Sequence, residues 1–260
     1  MRASRAARNQ PPCASPSKFS MPTLFAVASD KGGTGRTTAS LGLAALFAMR
    51  PVPDKVALVD LDPAGYATLL GLGQSLASNP LSCSPVAIPL RARGVLELFP
   101  AGRALAHASA SQIRAHISRA KASADLVIID TPPTRASPLV GEALHAATHV
   151  VSPVLPDFQS YSGFTGILAD ILATVPSTPV HALLSRWEPH TVVARSIEAI
   201  MRRTPTFTTL TAVVPRDQRV VESMATATPV PVGAPRSRAS AALRLAAIQL
   251  ATIANIPSPP

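Results

Sequence analysis

Cysteine is nearly missing from this chain: its 260 residues carry only Cys13 and Cys83. Neither paired nor metal-ligand spacing exists, which excludes a disulfide framework and an iron–sulfur site. Lysine is almost as scarce, with four (Lys18, Lys31, Lys55 and Lys121) against twenty arginines. The six histidines are scattered and read as surface or satisfied core residues, not as metal ligands. No apolar run is long enough to span a bilayer, so a soluble protein without a membrane partner is expected. No internal repeat and no second domain is evident. Residues 1–20 are rich in Arg, Ser and Pro and hold no stretch suited to a signal peptide, so they read as a disordered basic tail. Met21 is an alternative translation start. Residues 21–255 then read as one α/β domain and Ile256–Pro260 as a frayed end.

The chemistry is concentrated in Ala26–Thr38, AVASDKGGTGRTT. A β-rich run from Leu24 to Ala28 enters Gly32, Gly33 and Gly35, and an Ala/Leu-rich helical stretch follows through Met49. Strand, glycine loop and helix in that order form a phosphate cradle, because glycines let the backbone curl around an anion with its N–H groups pointing inward. Thr37 has the position of a hydroxyl that ligates Mg²⁺. Two further motifs, Val56-Ala-Leu-Val-Asp60-Leu-Asp62-Pro-Ala-Gly65 and Asp125-Leu-Val-Ile-Ile-Asp130-Thr-Pro-Pro133, are each an apolar strand that ends in carboxylate. Continuous apolar runs suit parallel strands buried on both faces, whose C-terminal ends carry the ligands of an open α/β sheet. The fold class expected is a doubly wound, mostly parallel sheet with helices on both faces. Residues 73–94, rich in Pro and Ser, read as surface loop and short helix.

In this ordered series the chain resembles the ParA/MinD family of deviant Walker ATPases, and its tail resembles the ParA/Soj partition branch. The likeness extends through Val150–Pro156, Ala182–Ser185 and Val213–Glu222 to Val230–Arg236. It implies ATP and Mg²⁺ as cofactors, with Lys31, Gly32, Gly33, Thr34, Gly35, Arg36, Thr37 and Thr38 around the phosphates. By the same resemblance Lys31 reaches across an ATP-dependent homodimer, Asp62 positions the attacking water, and Asp130 holds Mg²⁺ through water, with Asp60 a second acidic position near the metal. Ser185 and Pro215, Arg216 and Asp217 are the candidates for the base pocket. The absence of cysteine pairs counts against the cluster-carrying relatives. The basic bulky C-terminal helix of the MinD branch is also missing: Ala239–Asn255 suits a helix packed back on the sheet.

One departure stands in the loop: Arg36 replaces the lysine that contacts the β- and γ-phosphates. A planar fork in place of a slim ammonium puts turnover in doubt more than binding. Drift in an arginine-biased composition is the other reading of this residue.

The net charge of +10 is uneven. Residues 181–260 hold nine basic against four acidic side chains, whereas residues 22–180 hold eleven against ten. Arg195, Arg202, Arg203, Arg216, Arg219, Arg236, Arg238 and Arg244 are candidates for a patch on the DNA backbone. A solvated arginine surface is the alternative. The resemblance therefore implies a cytoplasmic, nucleoid-associated ATPase that partitions a plasmid, chromosome or mobile element with a ParB-like centromere-binding or other cargo adaptor. A nucleotide-gated switch with little hydrolysis, or an ATPase that positions a protein cargo, are the alternatives.

Overall fold

The computed structural model describes residues 21–50, 55–72, 79–90, 94–188 and 190–260. The basic tail expected over residues 1–20 lies outside them. In chain order the elements are β1 (Thr23–Val27), α1 (Arg36–Ala48), β2 (Val56–Asp60), α2 (Tyr66–Leu72), β3 (Val86–Pro89), β4 (Val95–Phe99), α3 (Ala110–Ser123), β5 (Leu126–Asp130) and α4 (Pro138–Ala146). They continue with β6 (His149–Val154), α5 (Phe158–Thr174), β7 (Val180–Trp187), α6 (Val192–Arg203), β8 (Thr208–Pro215), α7 (Gln218–Ala225), α8 (Val230–Gly233) and α9 (Arg238–Ile253).

Period-two alternation explains why the strands read as unbroken apolar runs. Along β1, Leu24 and Ala26 enter one core while Phe25 and Val27 enter the other. Residues of α3, α4, α5 and α6 close the first core, and residues of α1, α8 and α9 close the second. A single sheet between them runs β3-β4-β2-β5-β1-β6-β7-β8. It is parallel except for β3, which pairs antiparallel with β4. The expected doubly wound fold is therefore present.

The order β2-β5-β1 sets the two carboxylate-ending strands and the strand that feeds the glycine loop side by side. In register, Val27 opposes Asp130 and Asp60 opposes Asp130.

The stretch expected as loop and short helix needs correction at its end, where Val86–Pro89 forms β3. A four-residue edge strand tolerates its terminal proline, and only a partner strand reveals it. Residues 73–78 and 91–93 of that stretch lie outside the described ones. Helix α9 buries Leu243, Ala246, Ala247 and Leu250 in the second core. Beyond it the chain turns back, with Arg50 Nη1 donating to the Pro257 carbonyl at 2.7 Å. Among the described residues no helix is long and apolar enough to cross a membrane.

Candidate nucleotide site

The cradle is built by backbone conformation. Gly33 (φ +74°) and Gly35 (φ +93°) adopt left-handed conformations that side chains resist. Gly35 is the N-cap of α1, where no side chain caps the helix and no acidic residue occupies the first turn. The first N–H groups of a 13-residue helix thus lack the partners that capping supplies elsewhere, which is the arrangement that receives an anion. Exposed Gly32 and Gly33 leave the mouth open, whereas Thr34 is buried, its hydroxyl 2.7 Å from that of Ser29. Thr38 sits half-buried in the first turn of α1.

Asp130 is wholly buried and meets α1 with both oxygens: Thr37 Oγ1 donates to Oδ2 at 2.9 Å and Ser40 Oγ to Oδ1 at 2.8 Å. Asp60 is equally buried, but its oxygens serve the next loop. Oδ2 accepts from Thr68 N at 2.7 Å and Thr68 Oγ1 at 2.8 Å, and Oδ1 from Asp62 N at 3.1 Å. The structure thus places Asp60 as the organiser of the segment that carries Asp62, and Asp130 as the carboxylate that meets Thr37. Asp62 accepts from Ala64 N at 2.9 Å and lines a cavity of about 370 Å³ with Pro63, Leu105, Pro133 and Ser137.

Arg36 is 8 % exposed and committed to the loop that it underlies. Its Nη1 donates to Ser29 O at 3.0 Å, Ser29 Oγ at 2.7 Å and Lys31 O at 2.8 Å, and its Nε to Thr131 O at 3.1 Å. Desolvation lowers its pKa, against the attraction of Asp130 and Asp62. Lys31 lies within one chain, 3.3 Å from Asp157 Oδ2, and Asp157 also caps α5.

The other candidates fall in separate places. Ser185 stands against the loop, where a Cβ on Gly35 would come 2.8 Å from its Oγ. Pro215 and Arg216 border a different concavity of about 500 Å³ with Trp187, His190, Thr191 and Arg238. Asp217 ties two helix starts together, accepting from Arg219 N at 3.0 Å and Ala239 N at 3.1 Å. Arg219, Arg236 and Arg238 are exposed around those starts. Arg195 lies exposed near the first turn of α6, while Arg202 and Arg203 occupy its last turn. Arg202 pairs with Glu198 at 2.8 Å, Arg219 with Glu222 at 2.6 Å and Arg216 with Glu188 at 3.1 Å.

Sequence reasoning missed Ser40, Asp157 and Arg186. Ser40 was accessible, being one helical turn beyond Thr37 on the same face. The pairing of Asp157 with Lys31 spans 126 residues and carries no local signal.

Adjacent buried carboxylates compete for charge even with the Arg36 guanidinium nearby. Burial first and Asp130 second push Asp60 up to about 8. Burial pushes Asp130 up to about 6 despite the Ser40 and Thr37 hydroxyls and Arg36. Groups raised on folding contribute stability that is full below the ordinary carboxyl range and lost as pH rises through about 6 and about 8. Buried His116, lowered to about 4 by desolvation and then Arg119, acts oppositely: its contribution is present above its ordinary value and lost as pH falls through about 4. Buried His181, lowered to about 4 by desolvation and then His149, and His149 itself, lowered by desolvation, act with His116 near their ordinary value, so the carboxyl trend stands alone only above it, between about pH 7.5 and 9, where Asp60 titrates. Melting of the Mg-free, nucleotide-free protein is expected to drop by roughly 2–3 °C over that interval. Asp130→Asn, which keeps partners for both hydroxyls, should flatten the drop. A wild-type profile that is level or rising would contradict the paired-carboxyl account.

No cluster of three or more His, Cys, Asp or Glu among the described residues is arranged to hold a metal ion. The donor set instead fits Mg²⁺, which retains waters and binds through one hydroxyl or carboxylate together with substrate phosphates. Thr37 and Asp130 are the residues that would hold it.

Comparison with known proteins agrees with this geometry. The model of the CobQ/CobB/MinD/ParA nucleotide-binding domain matches residues 25–230. The chain is 31 % identical over 232 residues to the chromosome-partitioning ATPase Soj of Thermus thermophilus, covering 85 % of this chain and 92 % of that one. It is 27 % identical over 245 residues to the sporulation initiation inhibitor protein Soj of Bacillus subtilis, covering 84 % and 94 %. In fold it resembles the septum site-determining protein MinD of Pyrococcus horikoshii, solved with Mg-ADP, at a TM-score of 0.73 and 18 % identity over 90 % of this chain and 98 % of that one. With the cradle, the Thr37–Asp130 pair and the sheet order all in place, the chain belongs to the CobQ/CobB/MinD/ParA nucleotide-binding family.

Proposed function

We propose that this protein is a ParA-type ATPase that binds Mg–ATP at the α1 cradle, dimerises across the nucleotide and then binds DNA without sequence preference. Its cargo is a plasmid, chromosome or mobile element engaged through a ParB-like adaptor, and it works in the cytoplasm on the nucleoid. The observation that carries this reading is the uncapped start of α1 beside the Thr37–Asp130 hydrogen bond of 2.9 Å. Similarity to a relative named as a chromosome-partitioning ATPase supports the cargo class. Mg²⁺, when bound, neutralises charge on the β- and γ-phosphates, while the cradle fixes the phosphate chain and Asp62 orients the attacking water. Ser185 borders the nucleotide, and Pro215–Asp217 supply the base side. A second reading, a nucleotide-gated switch with little hydrolysis, is favoured by one observation: the Arg36 guanidinium is held by four oxygen acceptors of the protein itself.

DNA binding tests the nucleotide-gated part. With four to six phosphates neutralised per bound unit, log K should fall against log salt with a slope of about −4 to −5. Removing the charge of Arg236 or Arg238 should flatten that slope by about 1 each while ATP still binds. Lys31→Ala should abolish ATP-dependent dimerisation, and with it the gain in DNA affinity from presenting two patches on one body. Equal DNA affinity with ADP and ATP would remove gating, and no binding at low salt would leave the arginines as solvated surface.

A further inference from the structure

Successive residues of a strand point to opposite faces, yet Ser185 and Arg186 of β7 both reach the glycine loop. Ser185 Oγ lies where a Cβ on Gly35 would strike it, and Arg186 Nη1 is 3.5 Å from the Gly33 carbonyl. The cause is local: Arg186 has φ +51°, a left-handed conformation rare outside glycine, and the pairing of β7 with β8 slips between Leu184 and Trp187. Such bulges re-aim side chains beside functional sites.

The surrounding cations sharpen what this irregularity provides. Arg36 is occupied by main-chain and Ser29 oxygens, and Lys31 is paired with Asp157. Arg186 is exposed with its Nη1 at the rim of the loop, and among the described residues it makes one long hydrogen bond, so its guanidinium keeps donors for a ligand there. We infer that Arg186 is a nucleotide-contacting residue: its guanidinium binds the phosphate chain of the nucleotide held in the cradle and supplies the side-chain cation that Arg36 withholds. The inference rests on the Mg–ATP reading of the cradle. It also gives the left-handed backbone a purpose, since strained conformations persist where the surroundings use them.

Titration calorimetry with Mg–ATP, and competition with adenosine, on the wild type and on Arg186→Ala, Arg186→Gly and Arg186→Lys tests this. Loss of a charge-assisted contact should weaken Mg–ATP by about tenfold in the alanine and glycine variants, leave adenosine unchanged, and be partly restored by lysine. Arg186→Gly serves as the folding control, because glycine accepts φ +51° freely and its melting temperature should hold or rise. Wild-type Mg–ATP affinity in Arg186→Gly would overturn the inference alone. An equal loss for adenosine would overturn the phosphate assignment in favour of contact with the base. Failure of the wild type to bind Mg–ATP would remove the parent reading, and this inference with it.

Discussion

Arg36→Lys should raise steady-state ATP turnover by about tenfold, and Asp62→Ala should lower it by about a hundredfold or more. The first expectation follows from geometry. Arg36 spends Nε and Nη1 on Ser29, Lys31 and Thr131, so only Nη2 remains for a phosphate. A lysine ammonium on an unbranched stem has three rotatable donors and no fork to anchor, and can follow the γ-phosphate as charge develops there. The second follows from Asp62, close enough to Arg36 to attract its charge, lining a cavity with one oxygen already oriented by Ala64 N. Because removing Asp62 leaves the cradle intact, kcat should collapse while ATP affinity stays within a few-fold. Turnover by wild type equal to Arg36→Lys would mean that the arginine is a tolerated exchange, and a large loss of ATP binding in Asp62→Ala would assign that residue to binding instead.

Asp130→Asn should weaken Mg-dependent ATP binding by about a hundredfold while leaving the Mg-free affinity within a few-fold. The carboxylate holds Thr37 from one oxygen and Ser40 from the other, so the asparagine retains partners for both hydroxyls and removes chiefly the charge. A charge on a wholly buried group acts across low dielectric, where its attraction for a divalent ion is far larger than in water. Without the metal the same charge is a liability, which is why burial raises its pKa. An equal loss with and without Mg²⁺ would indicate that Asp130 shapes α1 rather than serving the metal.

The parts of this site legible in the sequence are those whose chemistry is local. Gly33 and Gly35 work through the backbone of a single turn, Thr37 through a hydroxyl in the helical turn that follows, and Asp130 by ending an apolar strand. Placement across strands was not legible. Asp60 and Asp130 look alike as strand-ending carboxylates, yet Asp60 meets Thr68 of α2, the helix after its own strand, whereas Asp130 meets Thr37 of α1, the helix after β1. Asp217, read by resemblance as a base-pocket candidate, ties the starts of α7 and α9, a partnership 22 residues apart. Spacing along the chain also says little about how the arginines are spread. Arg195 and Arg203 sit at opposite ends of α6, about 12 Å apart along its axis at 1.5 Å per residue. Arg186 stayed hidden because its direction depends on a slip in the pairing of β7 with β8, which no pattern within Ser185-Arg186-Trp187 announces. The short edge strand β3 was invisible for the same reason, being defined by β4 rather than by its own four residues.

Calorimetric titration of the wild-type protein with ATP, with and without Mg²⁺, bears most directly on the central claim that the α1 cradle and Asp130 form a nucleotide site. The account predicts saturable one-to-one binding that strengthens with Mg²⁺, a gain that disappears in Asp130→Asn. Absence of any Mg-dependent nucleotide binding would contradict both the ATPase and the switch.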